Sequence, residues 1–322
     1  MRAIFMTKTG DASVLKIKEV EDPKPNKDQI LIRHTAIGVN FFDVAYRKGQ
    51  YKLPPTQTIL GMEGCGVIEA IGSNVTGFKV GERVAHATNG VGSYAEKCVV
   101  DKERVIIVPT NVGDTLVAGS LYKGLMAQTL LHRVFFVKRA KRILVHAAAG
   151  GVGQFLCQWA RSYGVEVIGT VGSELKMARA QANGCAHVIN YKSKNFVQEL
   201  ANLTQGGGVG VVYDGVGKDV IEKSLECLWP LGLHVSYGES SGSTENLNLN
   251  LLVSNSLFLT RPSLAIYKAN RIELALAASD LFDLLAKGVL KPQITTYPFS
   301  DVAKAHQALE SRASMGSLVL TL

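Results

Sequence analysis

From about residue 142 the chain alternates short β-branched apolar runs with amphipathic stretches, and this rhythm restricts the fold more than any other feature. The candidate strands are RILVHAA (142–148), VEVIGTV (165–171), HVINY (187–191), VGVVYD (209–214), GLHVSYG (232–238) and SLFLTRP (256–262). Four of the intervening segments suit helices. QFLCQWARSYG places Phe155, Trp159 and Tyr163 at spacing four, and ELKMARAQANG ends on Gly184. Such alternation implies a parallel sheet covered on both faces, and right-handed crossovers then build a doubly wound α/β fold.

The first strand runs into HAAAGGVGQ (146–154), where a helical pattern begins. A strand ending in a glycine-rich turn that opens a helix suits a pyrophosphate: backbone approaches closely, and free N–H groups at the positive helix end face the anion. The residues aligned with G-x-G-x-x-G are Ala148, Gly150 and Gly153, so the first glycine is an alanine. An NAD enzyme needs a carboxylate at the tip of the second strand. That strand ends GTVGSELK, with small or uncharged residues from Gly169 to Ser173. Glu174 reads as a surface acid at a helix start, and Lys176 suits a 2′-phosphate. NADP is therefore expected over NAD.

The first 120 residues read differently. QILIRHTAIGV, GCGVIEAIG, ERVAHAT and YAEKCVVD suggest antiparallel strands of a β-rich domain. After residue 265 a helix pattern, ELALAASDLFDLLAKG, precedes a terminal strand, SLVLTL, in a tail expected to fold back onto the β domain. The expected domains are therefore 1–122 with 266–322, and 123–265. NLNLNL (246–251) alternates with period two, as an edge strand or an extended loop.

At 322 residues, with 47% hydrophobic and 19% charged residues, the chain suits two globular domains. The start, MRAIFMTKTG, lacks the apolar core of a signal peptide, and no segment reaches the roughly 20 apolar residues of a membrane span. Cys65, Cys98, Cys157, Cys185 and Cys227 lie far apart with no CxxC pair and no histidine at ligand spacing, which argues against disulfides and structural zinc and suits the cytoplasm. The net charge of +8 is scattered, as on a solvated basic face.

Many short motifs in order make a resemblance specific: GVNFFD (38–43), GMEGCGVIEAIGSNVTGFKVGERVA (61–85), GSYAEK (92–97), YKGL (122–125), HAAAGGVGQ, VIGTVGS, VINY, VVYDGVG, SYGESSG (236–242), TRP (260–262) and AHQALESRASMG (305–316). Nearly end to end, the chain resembles zinc-independent quinone oxidoreductases of the zeta-crystallin type, within the medium-chain dehydrogenase/reductase superfamily. The resemblance implies a GroES-like β domain, a Rossmann domain, NADPH as cofactor and a homodimer. It implies that Gly150, Gly151, Val152 and Gly153 cradle the pyrophosphate, and that Gly172, Lys176 and Tyr191 hold the 2′-phosphate and ribose. It further implies that Tyr237, Gly238 and Ser240 line the nicotinamide side, with Asn40 near the carboxamide and Arg312 on the phosphates.

Departures refine this expectation. Zinc-dependent relatives place Cys and a His-Glu pair where this chain has Asn40 and Met62-Glu63, so no catalytic zinc is expected. Without a metal, hydride transfer must reach an acceptor that needs little polarisation, such as a quinone or other flat electrophile. Family members often carry a Tyr where this chain has Ala45, with Tyr46 beside it, and a Thr where it has Met126. Neighbouring helical positions point about 100° apart, so Tyr46 does not automatically replace that phenol. Reduction of activated C=C bonds in enals, enones or enoyl thioesters is the alternative, with Tyr46 or Tyr51 as proton donor. A nucleic-acid-binding role, suggested by the charge, lacks aromatic-basic interleaving.

Overall fold

The apolar runs after residue 142 assemble into one six-stranded, all-parallel sheet. From edge to edge the strands are His187–Asn190, Glu166–Val171, Arg142–Val145, Val209–Asp214, Leu228–Ser236 and Phe258–Thr260. The first strand in sequence therefore lies centrally, and the order reverses beside it, as in a dinucleotide-binding sheet. Val209–Asp214 is buried along its whole length, which is why it reads as an unbroken apolar run. The computed structural model describes residues 1–53, 59–88, 90–244 and 247–322.

The chain divides into two compact units: Met1–Leu125 with Lys268–Ala286 and Pro292–Leu322, and Met126–Tyr267 with Lys287–Lys291. In the second unit the helix Gly151–Ser162 buries Phe155 and Trp159, and Trp159 Nε1 donates to the Tyr163 hydroxyl at 2.9 Å. The spacing of four thus combines apolar burial with a satisfied indole.

The first unit carries a seven-stranded sheet. Its main path is Ile294–Pro298, Ser317–Thr321, Gln29–Val39, Glu63–Ile71, Arg83–His86 and Ile106–Ile107, with Lys97–Asp101 also paired to Gln29–Val39. The tail returns to this sheet: Ser317–Thr321 runs antiparallel to Gln29–Val39, with Leu318 opposite Val39. Alternation along Gln29–Val39 sends Ile30 and Ile32 into a core with Ile68, Val84 and Val100.

Three segments depart from their sequence patterns. NLNLNL is neither strand nor extended loop over Leu249–Leu252, which form a 3₁₀ turn; the Asn248 side chain accepts from Asn250 N at 3.0 Å and caps it. Asn246 lies outside the described residues. In ELKMARAQANG, Glu174–Lys176 is 3₁₀ and only Met177–Ala182 is α-helical. In YAEKCVVD the strand begins at Lys97. No helix among the described residues is long and apolar enough to cross a membrane.

Candidate functional site

In the second unit, Arg142–Val145 ends in a turn that places Gly150 at the N-cap of the helix Gly151–Ser162. Glycine brings no side chain to cap the first N–H groups, which are left for a ligand. A Cβ at Gly153 would stand 2.2 Å from Ala147 O, so only glycine lets the helix pack on the turn. Gly151 and Val152 are half-buried at the helix mouth. The alanine in the first fingerprint position also has a structural answer. Ala148 is fully buried, and a Cβ on Gly169 of the neighbouring strand would lie 2.8 Å from the Ala148 Cβ. A glycine missing from the turn is thus replaced by one on the next strand.

The tip of the second strand collects Gly172, Tyr191 and Lys176. A Cβ on Gly172 would approach the Tyr191 hydroxyl to 3.0 Å, and Lys176 closes the 3₁₀ turn with its N–H on Ser173 O at 3.1 Å. Glu174 Oε1 accepts from Asn190 Nδ2 at 2.7 Å, so this acid is engaged in tying two loops. Tyr237, Gly238 and Ser240 follow Leu228–Ser236: the first two donate backbone N–H groups to Asp214 O at 2.9 and 3.2 Å, and Ser240 N donates to Gly215 O at 3.3 Å. All these turns leave the carboxyl ends of strands of one sheet, where such folds bind ligands. Burial pushes the Tyr237 phenol up, so it stays protonated.

In the first unit, Asn40 precedes the helix Phe41–Arg47, and its N–H donates to Asp43 Oδ2 at 2.8 Å. Its amide Nδ2 donates to Glu63 Oε1 at 2.9 Å. Glu63 also accepts from Lys123 Nζ at 2.8 Å and from Tyr122 N at 2.7 Å, and is fully buried. The carboxylate lies over Gly38, where a Cβ would come within 2.1 Å of Oε1. Burial raises the pKa of Asp43 to about 7, against hydrogen bonds from Asn40 N and the Tyr94 hydroxyl that lower it. Beside this network Phe42 stacks on Tyr51 at 5.3 Å and meets Tyr122 edge-on at 6.2 Å, while Tyr46 lies 5.7 Å from Tyr51. Burial raises the Tyr46 phenol as well. Arg312 is half-buried in the loop after Val302–Glu310, with a left-handed backbone at φ +54°.

Sequence reasoning passed over Lys123 and Tyr122, which sit in the quoted YKGL motif. The signal was Glu63 itself, since a buried carboxylate needs buried donors.

Comparison with known proteins covers both units. Residues 26–130 match the alcohol dehydrogenase GroES-like domain, and residues 151–274 match the family described as zinc-binding dehydrogenase. A quinone oxidoreductase of Pseudomonas aeruginosa is 40% identical over 313 residues, 97% of this chain and 96% of that protein. A 2-haloacrylate reductase of a Burkholderia species is 40% identical, over 99% of this chain and 98% of its own. The crystal structure of Escherichia coli quinone oxidoreductase complexed with NADPH superposes with a TM-score of 0.97 at 39% identity, over the whole of both chains. With this likeness along both chains, added to the glycine turn and the sheet order, the chain belongs to the quinone oxidoreductase family of the medium-chain dehydrogenase/reductase superfamily.

Proposed function

We propose that the protein is an NADPH-dependent, zinc-independent reductase of quinones, acting as a homodimer in the cytoplasm. The observation that carries the reading is 40% identity over 97% of the chain to a protein named quinone oxidoreductase. The glycine turn fits the cofactor: Gly153 admits no Cβ and Gly150 leaves the helix mouth open. Gly150, Gly151, Val152 and Gly153 hold the pyrophosphate by backbone N–H groups. Gly172, Lys176 and Tyr191 receive the 2′-phosphate and ribose, and Tyr237, Gly238 and Ser240 the nicotinamide side. Asn40 and Arg312 are assigned to the carboxamide and the phosphates. The cofactor supplies the hydride.

Zinc does not fit the Asn40–Glu63 corner. A catalytic zinc takes thiolate, imidazole or free carboxylate ligands. Here Asn40 Nδ2 is spent on Glu63, Glu63 is committed to three donors, and Met62 offers a thioether. An acceptor that carries charge on its own oxygens then needs little more than orientation, which the Phe42, Tyr46, Tyr51 and Tyr122 rings suit. Homodimer formation is supported by the sheet edge Phe258–Thr260, where Phe258 is 58% and Leu259 37% exposed. Five free, buried cysteines support a reducing compartment.

The second reading, C=C reduction of an activated alkene, is favoured by the likeness to the 2-haloacrylate reductase. It gives the Tyr46 or Tyr51 hydroxyl the role of proton donor to the neighbouring carbon. NADPH oxidation by the purified, chelator-treated protein, with para-quinones and 2-haloacrylates or enones side by side, decides between them. Quinones reduced fastest, with no stoichiometric zinc by elemental analysis, support the proposal. Alkenes reduced faster, or activity lost with a bound zinc, overturn it.

A further inference from the structure

Three strands of the first unit bring together side chains that lie far apart in sequence. Cys98 stands opposite Ile32, which lies one pleat repeat from His34, and His86 stands opposite Gly64. His34 Nε2 and His86 Nε2 are 3.0 Å apart, and Cys98 Sγ lies 3.3 and 3.5 Å from them. All three side chains are buried, at 3%, 2% and 8% exposure. A Cβ on Gly64 would fall 2.5 Å from His34 Nε2, so the rings approach the sheet only because this residue is glycine. From these positions we propose that His34, His86 and Cys98 form a three-coordinate site for monovalent copper.

Of the inner atoms His34 Nε2 is poised as a donor, whereas His86, whose outer Nδ1 has no partner, carries its proton on Nε2 toward His34 and shifts it to Nδ1 when the ion binds. His34 Nδ1 lies 2.8 Å from Ala95 O, which only accepts, so the ring proton sits on Nδ1 and the Nε2 lone pair faces inward. A backbone carbonyl holding the outer nitrogen is the usual support of a metal-binding imidazole. A trigonal site with metal–nitrogen near 2.0 Å and metal–sulfur near 2.3 Å has edges of about 3.5 and 3.7 Å. Each ligand therefore moves by only a few tenths of an ångström to meet the ion.

Charge and coordination number select the metal. On binding, the Cys98 S–H bond breaks, a copper–sulfur bond forms and the proton leaves to solvent; copper stays monovalent. Thiolate plus Cu(I) is neutral, as suits a core shared with Ile30, Ile32, Ile68 and Val84. A divalent ion with one thiolate leaves a net positive charge there, and among the described residues no carboxylate joins the three ligands. Structural zinc is four-coordinate, whereas soft thiolate ligands select Cu(I).

The test supplies Cu(I) anaerobically, as its coloured bicinchoninate complex, to the reduced full chain. One equivalent should transfer, and copper X-ray absorption should show one sulfur and two nitrogens. Cys98→Ser and His86→Gln should each take less than a tenth of that amount. Cys157→Ser, which removes one thiol of the Cys157–Cys185 pair at 3.5 Å, should take a full equivalent. The absorption measurement needs no variant and so stands even if one fails to fold. No transfer to the parent, a two-sulfur spectrum, uptake surviving in Cys98→Ser, or zinc bound in preference to copper overturns the site.

Discussion

Lys123 Nζ lies 2.8 Å from Glu63 Oε1, with Glu63 fully buried and the lysine 5% exposed. Breaking a buried pair by removing one partner costs about 3–5 kcal/mol, because the other charge is left without compensation. Lys123→Met is expected to lower the unfolding free energy by that amount in urea titrations. Glu63→Gln should also destabilise, and the double variant should recover part of the loss. Single variants as stable as the parent would show that the carboxylate is satisfied without the lysine.

Lys176 closes the turn beside Gly172 and Tyr191, and the proposed cofactor places a 2′-phosphate there. Lys176→Ala should raise KM for NADPH by the equivalent of about 1.5–3 kcal/mol, the range for a hydrogen bond to a charged group. KM for NADH should barely move. Equal losses for both cofactors would remove Lys176 from the 2′-phosphate.

Tyr46 and Tyr51 meet at 5.7 Å, and both hydroxyls are candidate acids. A quinone carries charge on its own oxygens, so Tyr46→Phe and Tyr51→Phe should leave quinone turnover nearly unchanged. Removing a general acid that the reaction needs lowers the rate about a hundredfold or more. Such a collapse in either variant would favour alkene reduction.

His146 sets an acid limit on stability. Its Nε2 lies 2.8 Å from Ser224 Oγ, which donates onward to Val220 O, so Nε2 carries the proton and Nδ1 accepts from the Thr170 hydroxyl at 2.7 Å. Burial lowers its pKa from 6.5 to about 4. The native state thus binds fewer protons than the unfolded chain, and this contribution, present above pH 6.5, is lost as pH falls through 4. His306, lowered to about 3, acts in the same direction. Asp43, raised from 3.8 to about 7, acts oppositely: its contribution is present below pH 3.8 and lost as pH rises through 7. Urea titrations at pH 7.5 and 4 should show a parent loss exceeding that of His146→Gln by about 3 kcal/mol. Identical losses would mean that His146 ionises freely in the fold.

The strands Gln29–Val39 and Val209–Asp214 match their sequence runs residue for residue. In both, continuous apolar or alternating character is a local property that the pleat translates directly into burial. NLNLNL misled because asparagine side chains bond their own backbone, which gives a polar-apolar alternation a second outcome. The Glu63 network was half legible: the acid stood out, but its lysine partner is brought in by folding. His34, His86 and Cys98 were illegible as a group, since sheet pairing alone gathers them.

The position of Ser317–Thr321, between Ile294–Pro298 and Gln29–Val39, also governs how the protein is made. A ribosome delivers Gln29–Val39 early and must then release the whole of Met126–Tyr267 before the strand that completes this sheet emerges. During that interval one edge of Gln29–Val39, at Val39, Gly38, Ile37 and Ala36, lacks its Ser317–Thr321 partner, leaving a tacky edge on a nascent chain. The second unit has no such wait for its sheet, whose strands all lie between Arg142 and Thr260. The sheet of the first unit is therefore completed only after every strand of the second has been made.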